Sequence, residues 1–117
     1  MKASVIIQSY NSKERLYYNL ISLNNQDCDL NIFEVIVVDN GSIDNTLEML
    51  ENFNAKFAFK FVRLEKNRGI ARGRNEGIKR AVGDILIFHD SDMIASKDFI
   101  TRHLKHHEEK DIVVCGV

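Results

Sequence analysis

The sequence predicts an α/β domain, a mostly parallel, doubly wound sheet with helices on both faces. Short β-branched apolar runs alternate with helically periodic segments along the whole chain. The connections between them are short, which calls for a parallel sheet with crossover helices. One run, Val35-Ile36-Val37-Val38, is apolar on both sides and suits a strand covered on both faces.

The elements follow in order. The first strand is read at 4–7. A helix over 12–26 sets Leu16, Leu20 and Leu23 on one stripe, with Ser12 as its N-cap. The second strand is 35–38. A helix over 44–53 aligns Leu47, Leu50 and Phe53. At 57–64, Phe57, Phe59 and Phe61 alternate with Ala58, Lys60 and Val62, giving a strand with one apolar and one mixed face. A helix at 70–82 carries Ala71, Ile78 and Val82 at helical spacing. A fourth strand covers 84–88. A helix over 96–107 takes Ser96 as N-cap and turns Phe99, Ile100 and Leu104 inward. The last strand is 112–117.

At 117 residues, the chain is read as a single domain over 1–117. Hydrophobic residues are 44% and charged residues 28%, as in ordinary globular domains. A formal net charge of -1 gives no global attraction to nucleic acid or anionic membrane. No apolar run is long enough to span a bilayer, and the N-terminus has no signal-peptide layout. Cys28 and Cys115 are isolated thiols, which points to a reducing compartment. The sequence stops within the apolar run Ile112-Val113-Val114-Cys115-Gly116-Val117, so it is expected to be the front part of something longer. An exposed terminal strand of this kind also offers pairing to another chain, which leaves an oligomer open.

Chemistry-bearing residues collect where the strands end: Ser9, Tyr10 and Asn11, then Asp39, then Asn67 and Gly69, then Asp90 and Asp92. In open parallel sheets, ligands bind outside those carboxyl ends. Asp90-Ser91-Asp92 follows the run Ile85-Leu86-Ile87-Phe88 and His89. Two carboxylates one residue apart form a hard-oxygen claw suited to Mg²⁺ or Mn²⁺, and those ions suit a diphosphate. The plainer alternative is that these acids cap a turn. Asp39, before Asn40-Gly41, is equally an Asx turn or an acceptor for a base N–H. Tyr10 is placed to border a base. Gly69 and Gly73 permit close backbone approach at a helix start, with Arg68, Arg72 and Arg74 available for a phosphate. The other fate of these arginines is a solvated helix face. The spacing is neither G-x-G-x-x-G nor G-x-x-x-x-G-K-[ST], which disfavours a dehydrogenase and a P-loop NTPase. His103, His106 and His107 read as a surface cluster, without the H-E-x-x-H pattern.

In this order the segments resemble the family 2 glycosyltransferases over essentially the whole chain. The matching residues are Ser4-Val5-Ile6-Ile7-Gln8-Ser9-Tyr10-Asn11, Val37-Val38-Asp39-Asn40-Gly41-Ser42-Ile43-Asp44, Asn67-Arg68-Gly69 with Arg74-Asn75-Glu76-Gly77, and the D-x-D element Asp90-Ser91-Asp92. The resemblance implies the Rossmann-like GT-A fold and transfer of a sugar from a nucleotide-diphosphate donor, expected to be a UDP-sugar, to an acceptor hydroxyl with inversion. Ser9 and Tyr10 would border the nucleobase and Asp39 would hydrogen-bond it. Gly69 and Arg74 would lie along the nucleotide. Asp90 would sit near the ribose or the metal, and Asp92 would coordinate the Mn²⁺ or Mg²⁺ that bridges the diphosphate. The expected location is the cytoplasm, with a peripheral position at the inner membrane face as a variant.

The chain departs from the family pattern at Gln8 for Pro, Ile43 for Thr, Gly73 for Ala, and His89 for an apolar residue. It also offers no residue for the general base, which relatives carry in a C-terminal half. The alternative reading is therefore a nucleotide-sugar-binding module without transferase activity. A receiver-like signalling domain is disfavoured, because the first strand ends in Ser9-Tyr10-Asn11 instead of an acidic pair and the fifth offers no Lys.

Overall fold

A computed structural model describes residues 1–65, 69–106 and the backbone of 114–116. Five parallel strands, β1 (Ala3–Ser9), β2 (Phe33–Asp39), β3 (Ala58–Arg63), β4 (Ile85–Asp90) and β5 (Val114–Gly116), lie in the order β3-β2-β1-β4-β5. The helices are α1 (Lys13–Asn24), α2 (Thr46–Asn52), α3 (Ile70–Arg80) and α4 (Phe99–His106). This is the expected doubly wound α/β architecture. The first, second and fourth strands run one to two residues past their apolar cores at the carboxyl end. Ser9, Asp39 and Asp90 are therefore the last ladder residues, because parallel pairing continues after hydrophobicity stops.

The two faces of the sheet differ. Val5, Ile7, Val35, Val37 and Ile87 turn to one side and join Leu16, Leu20 and Leu23 of α1, Leu50 of α2, and Phe99 and Ile100 of α4. The period-2 and period-3.6 patterns meet there in the main core. Each fully buried Leu, Ile or Phe contributes about 1.5–3 kcal/mol. Phe57, Phe59 and Phe61 extend this core as a ring ladder with centroids 5.6–5.8 Å apart.

The opposite face is covered by α3, and the predicted stripe does not do the covering. Ala71, Ile78 and Val82 are exposed, Val82 by 63%. The helix instead lays Gly73 and Gly77 on the sheet. A Cβ at Gly77 would meet Ile6 Cγ2 at 2.5 Å, so backbone proximity, not apolar area, fixes this helix. Beyond its C-terminal end, Glu34 is fully buried, accepting from Ser4 Oγ at 2.6 Å and Val82 N–H at 2.7 Å and facing Lys60 Nζ at 2.9 Å. Burial alone would raise the Glu34 carboxyl, but these partners outweigh it and hold it below its ordinary value. Lys60 Nζ also donates to Arg80 O at 2.9 Å.

Ser12 takes the predicted N-cap position of α1 but its side chain makes no capping bond, and Ser96 lies short of the last helix. Ser12 Oγ donates backward to Tyr10 O, and the Lys13 N–H is taken by Asp44 from the next loop, at 3.1 Å. The last helix begins at Phe99, three residues after Ser96, whose hydroxyl bonds Asp98. His107 and the predicted strand residues 112, 113 and 117 lie outside the described residues.

Candidate functional site

The ladders bring the predicted residues to one rim. Ser9 is the direct partner of Asp39, and Gln8 that of Asp90. Strand order reverses direction between β1 and β4, the switch point where open α/β sheets hold ligands. A cleft of about 570 Å³ opens there, a size typical of small-ligand sites. Ser9, Tyr10, Gly69, Arg74 and Asp90 line it, with Gln8, Asn40, Phe88 and His89 among their neighbours. Asp39, Asn11 and Asp92 sit beside this lining. Asn67 lies outside the described residues.

Helix α3 begins at the cleft. Gly69 precedes it with φ of 90°, a conformation glycine adopts without strain. The helix start favours an anion. One turn on, the Arg74 guanidinium lies 4.7 Å over the Phe88 ring, a cation–π contact that holds the charge at the cleft wall. Tyr10 is 48% exposed, so its ring is available to a flat ligand.

Asp39 combines both of its readings. Its Oδ1 accepts from the Ser42 N–H and hydroxyl, closing the turn. Its buried Oδ2 has no hydrogen bond, and Arg63 Nε stands 4.0 Å away. Asn11, at φ 50°, spends its side chain locally by accepting from Ile43 N–H at 2.9 Å. Asp44 binds the start of α1 and the Thr46 hydroxyl, and these bonds outweigh burial and lower its pKa.

At the fourth strand end, Asp90 Oδ1 accepts from Asp92 N–H at 3.0 Å. The turn-capping reading therefore holds for one oxygen. Asp92 is half exposed and lies 3.5 Å from Arg15, an open pair of little weight. No cluster of three metal-ligating side chains occurs among the described residues. The two carboxylates fit Mg²⁺ or Mn²⁺ by donor chemistry, since those ions bind through one or two carboxylates and take substrate phosphates and water for the rest.

Of five buried side-chain atoms without a hydrogen-bond partner among the described residues, four lie at this edge, Ser9 Oγ, Asp39 Oδ2, Asn40 Oδ1 and His89 Nδ1, and the fifth, Glu34 Oε1, faces the Lys60 ammonium at 2.9 Å. Native interiors rarely leave such atoms unpaired unless a ligand or water meets them. Burial pushes the His89 imidazole below its ordinary value, so the ring is neutral at physiological pH. Its Nε2 lies 3.0 Å from Asn19 Oδ1. The sequence reading overlooked Asn19, although a polar residue among Leu16, Leu20 and Leu23 was visible. It also overlooked Phe88, whose side of the strand was legible from the alternation. Cys28 is half-buried and reduced, with its thiol pushed up by burial and the Asp27 charge.

Known proteins resemble this chain throughout. A sequence model described as "Glycosyl transferase family 2" matches residues 4–117. An uncharacterized glycosyltransferase of Bacillus subtilis, YfnE, is 63% identical over the whole chain, which covers 30% of that protein. The poly(ribitol-phosphate) beta-N-acetylglucosaminyltransferase TarS of Staphylococcus aureus is 40% identical over 84% of the chain, which covers 17% of it. The crystal structure of TarS 1-349 in complex with UDP-GlcNAc superposes with a TM-score of 0.85, covering 93% of this chain and 32% of that one at 37% identity. The mannosyltransferase PcManGT of Pyrobaculum calidifontis, in complex with GDP-Man and Mn²⁺, gives 0.84 over 89% and 31% at 26% identity. These neighbours have the GT-A fold. The chain thus spans about a third or less of these relatives.

Proposed function

This chain belongs to glycosyl transferase family 2, and from that premise we propose that it forms the donor-binding part of a longer, inverting, metal-dependent glycosyltransferase that uses a UDP-sugar. The observation that carries the reading is the coincidence at one cleft of the α3 start, Arg74, Asp90 and buried polar atoms of Ser9, Asn40 and His89 that lack a hydrogen-bond partner. Ser9, Tyr10 and Asp39 receive the base, Asp39 through its free oxygen. Asn11 holds the loops that frame it. Asn67, Gly69 and Arg74 follow the ribose and diphosphate. Asp90 and Asp92 hold Mn²⁺ or Mg²⁺, which when bound supplies Lewis-acid stabilisation of the departing diphosphate. The acceptor hydroxyl attacks the anomeric carbon, the bond to the diphosphate breaks, and the proton passes to a base. UDP-GlcNAc in the TarS complex and Mn²⁺ in the PcManGT complex support the donor and metal classes. The separate thiols support a cytoplasmic setting, and no described helix is long and apolar enough to cross a membrane.

A second reading has its own observation. Asp90 is the only carboxylate among the described residues that line the cleft, so none is left there for the base. On this reading the 117-residue chain binds donor without transferring sugar. Calorimetry with UDP, with and without Mn²⁺, tests the donor site. Binding is expected to strengthen with Mn²⁺ and to lose that gain in Asp92→Ala. Metal-independent binding, or an unchanged variant, overturns the assignment. A transfer assay on the same protein separates the two readings.

A further inference from the structure

From the middle of α1 to just past its end, three polar side chains bind the backbone of the 90–100 segment. Asn19, fully buried, donates from Nδ2 to Asp90 O at 3.0 Å and to Ser91 O at 3.3 Å. Ser22 Oγ accepts from Ala95 N–H at 3.0 Å. Gln26 donates to Ser96 O at 2.7 Å and accepts from Ile100 N–H at 2.9 Å. Asn19 and Ser22 lie three residues apart on one face of α1, and Gln26 follows two residues past its end, so three polar side chains set the path of a segment some 70 residues away in sequence.

Asn19 differs from the other two in what it holds and in what holds it. Its contacts fall on the peptide carbonyls of the acidic turn itself. Its own orientation is fixed by His89, whose Nε2 meets Asn19 Oδ1 at 3.0 Å and whose ring packs at a tilt against Phe99, centroids 4.6 Å apart. With the carbonyl oxygen of the amide committed to His89, both Nδ2 protons point at Asp90 and Ser91. His89, a departure from the family pattern, thus has a buried polar partner.

We infer that Asn19 is a positioning residue that fixes the Asp90-Ser91-Asp92 turn for its cation. The inference rests on the metal reading above. Tethering two adjacent carbonyls leaves the turn one path, so the carboxylates are set before a ligand arrives.

The test uses Asn19→Leu, Asn19→Asp and, as a core-destabilising control on the same helix, Leu23→Ala, in the full-length protein. Amide exchange is read at Asp92 and Met93, whose N–H groups bond Asp90. UDP affinity is read with and without Mn²⁺. Both Asn19 variants are expected to speed exchange at these amides and to cut the Mn²⁺-dependent gain in UDP affinity about tenfold, leaving metal-free affinity unchanged. Asn19→Asp keeps the acceptor for His89, so its loss isolates the donor. Leu23→Ala is expected to lower the melting temperature without either change. Unaltered exchange in the Asn19 variants, or equal changes in Leu23→Ala, overturns the inference. Wild-type protein that gains nothing from Mn²⁺ refutes the metal reading, and exchange alone then decides for or against Asn19 as the tether of the turn.

Discussion

The two ends of the sheet treat buried polar groups in opposite ways. At the amino end, Glu34 is surrounded by Ser4, the Val82 N–H and the Lys60 ammonium, and Gly83 N–H donates to Ser4 Oγ at 2.8 Å. At the carboxyl end, Ser9, Asp39, Asn40 and His89 each keep an atom unpaired. Helix α3 joins them, pinned behind at Glu34 and Lys60 and starting in front at the cleft. On the proposed reading, the polar groups that anchor the fold and those that meet a ligand lie at opposite ends of one helix.

The largest expected effect tests the rear anchor. Glu34→Gln should lower stability by about 3 kcal/mol at neutral pH, because it strands a buried network, while UDP affinity below the melting transition stays unchanged. The folded-state pKa of Glu34 lies below 4.5, so its contribution is present above that value and fades as pH falls through the folded pKa. The stability gap between wild type and variant should therefore narrow in acid. Denaturant titrations from pH 7 to pH 3 measure both. A gap independent of pH, or UDP affinity falling with stability, would break the division between the ends.

At the front, Arg74→Ala should show the reverse pattern. UDP binding is expected to weaken about tenfold, the loss of one charge-assisted contact, with little change in melting temperature. Calorimetry beside a thermal melt reads this, and a large melting shift with unchanged affinity would contradict it. The smallest effect concerns the loop after β2, at the carboxyl edge. Asp44→Ala should destabilise by about 1 kcal/mol, the usual loss of a helix N-cap, here supplied across 31 residues to Lys13. Circular dichroism melts measure it.

Strands and strand ends were legible because a run such as Val35-Ile36-Val37-Val38 leaves few alternatives and the acids follow such runs. What escaped was set by partners distant in sequence. Ser12 is a good cap residue by type, but the carboxylate that binds α1 comes from Asp44. Ala71, Ile78 and Val82 have helical spacing, yet Gly73 and Gly77 let the helix approach so closely that its buried face carries no large side chain. Asn19 interrupts an apolar stripe, and only the folded loop reveals what it meets.

Because Ser9 and Asp39 face each other across the β1–β2 ladder, their separation is set by main-chain pairing, about 4.8 Å between strands. No neighbouring side chain sets that ruler. The exposed side chains of the flanking loops, such as Tyr10 and Ile43, can therefore be exchanged while the gauge beneath them stays constant, which makes them the natural place to graft altered ligand preference onto this scaffold.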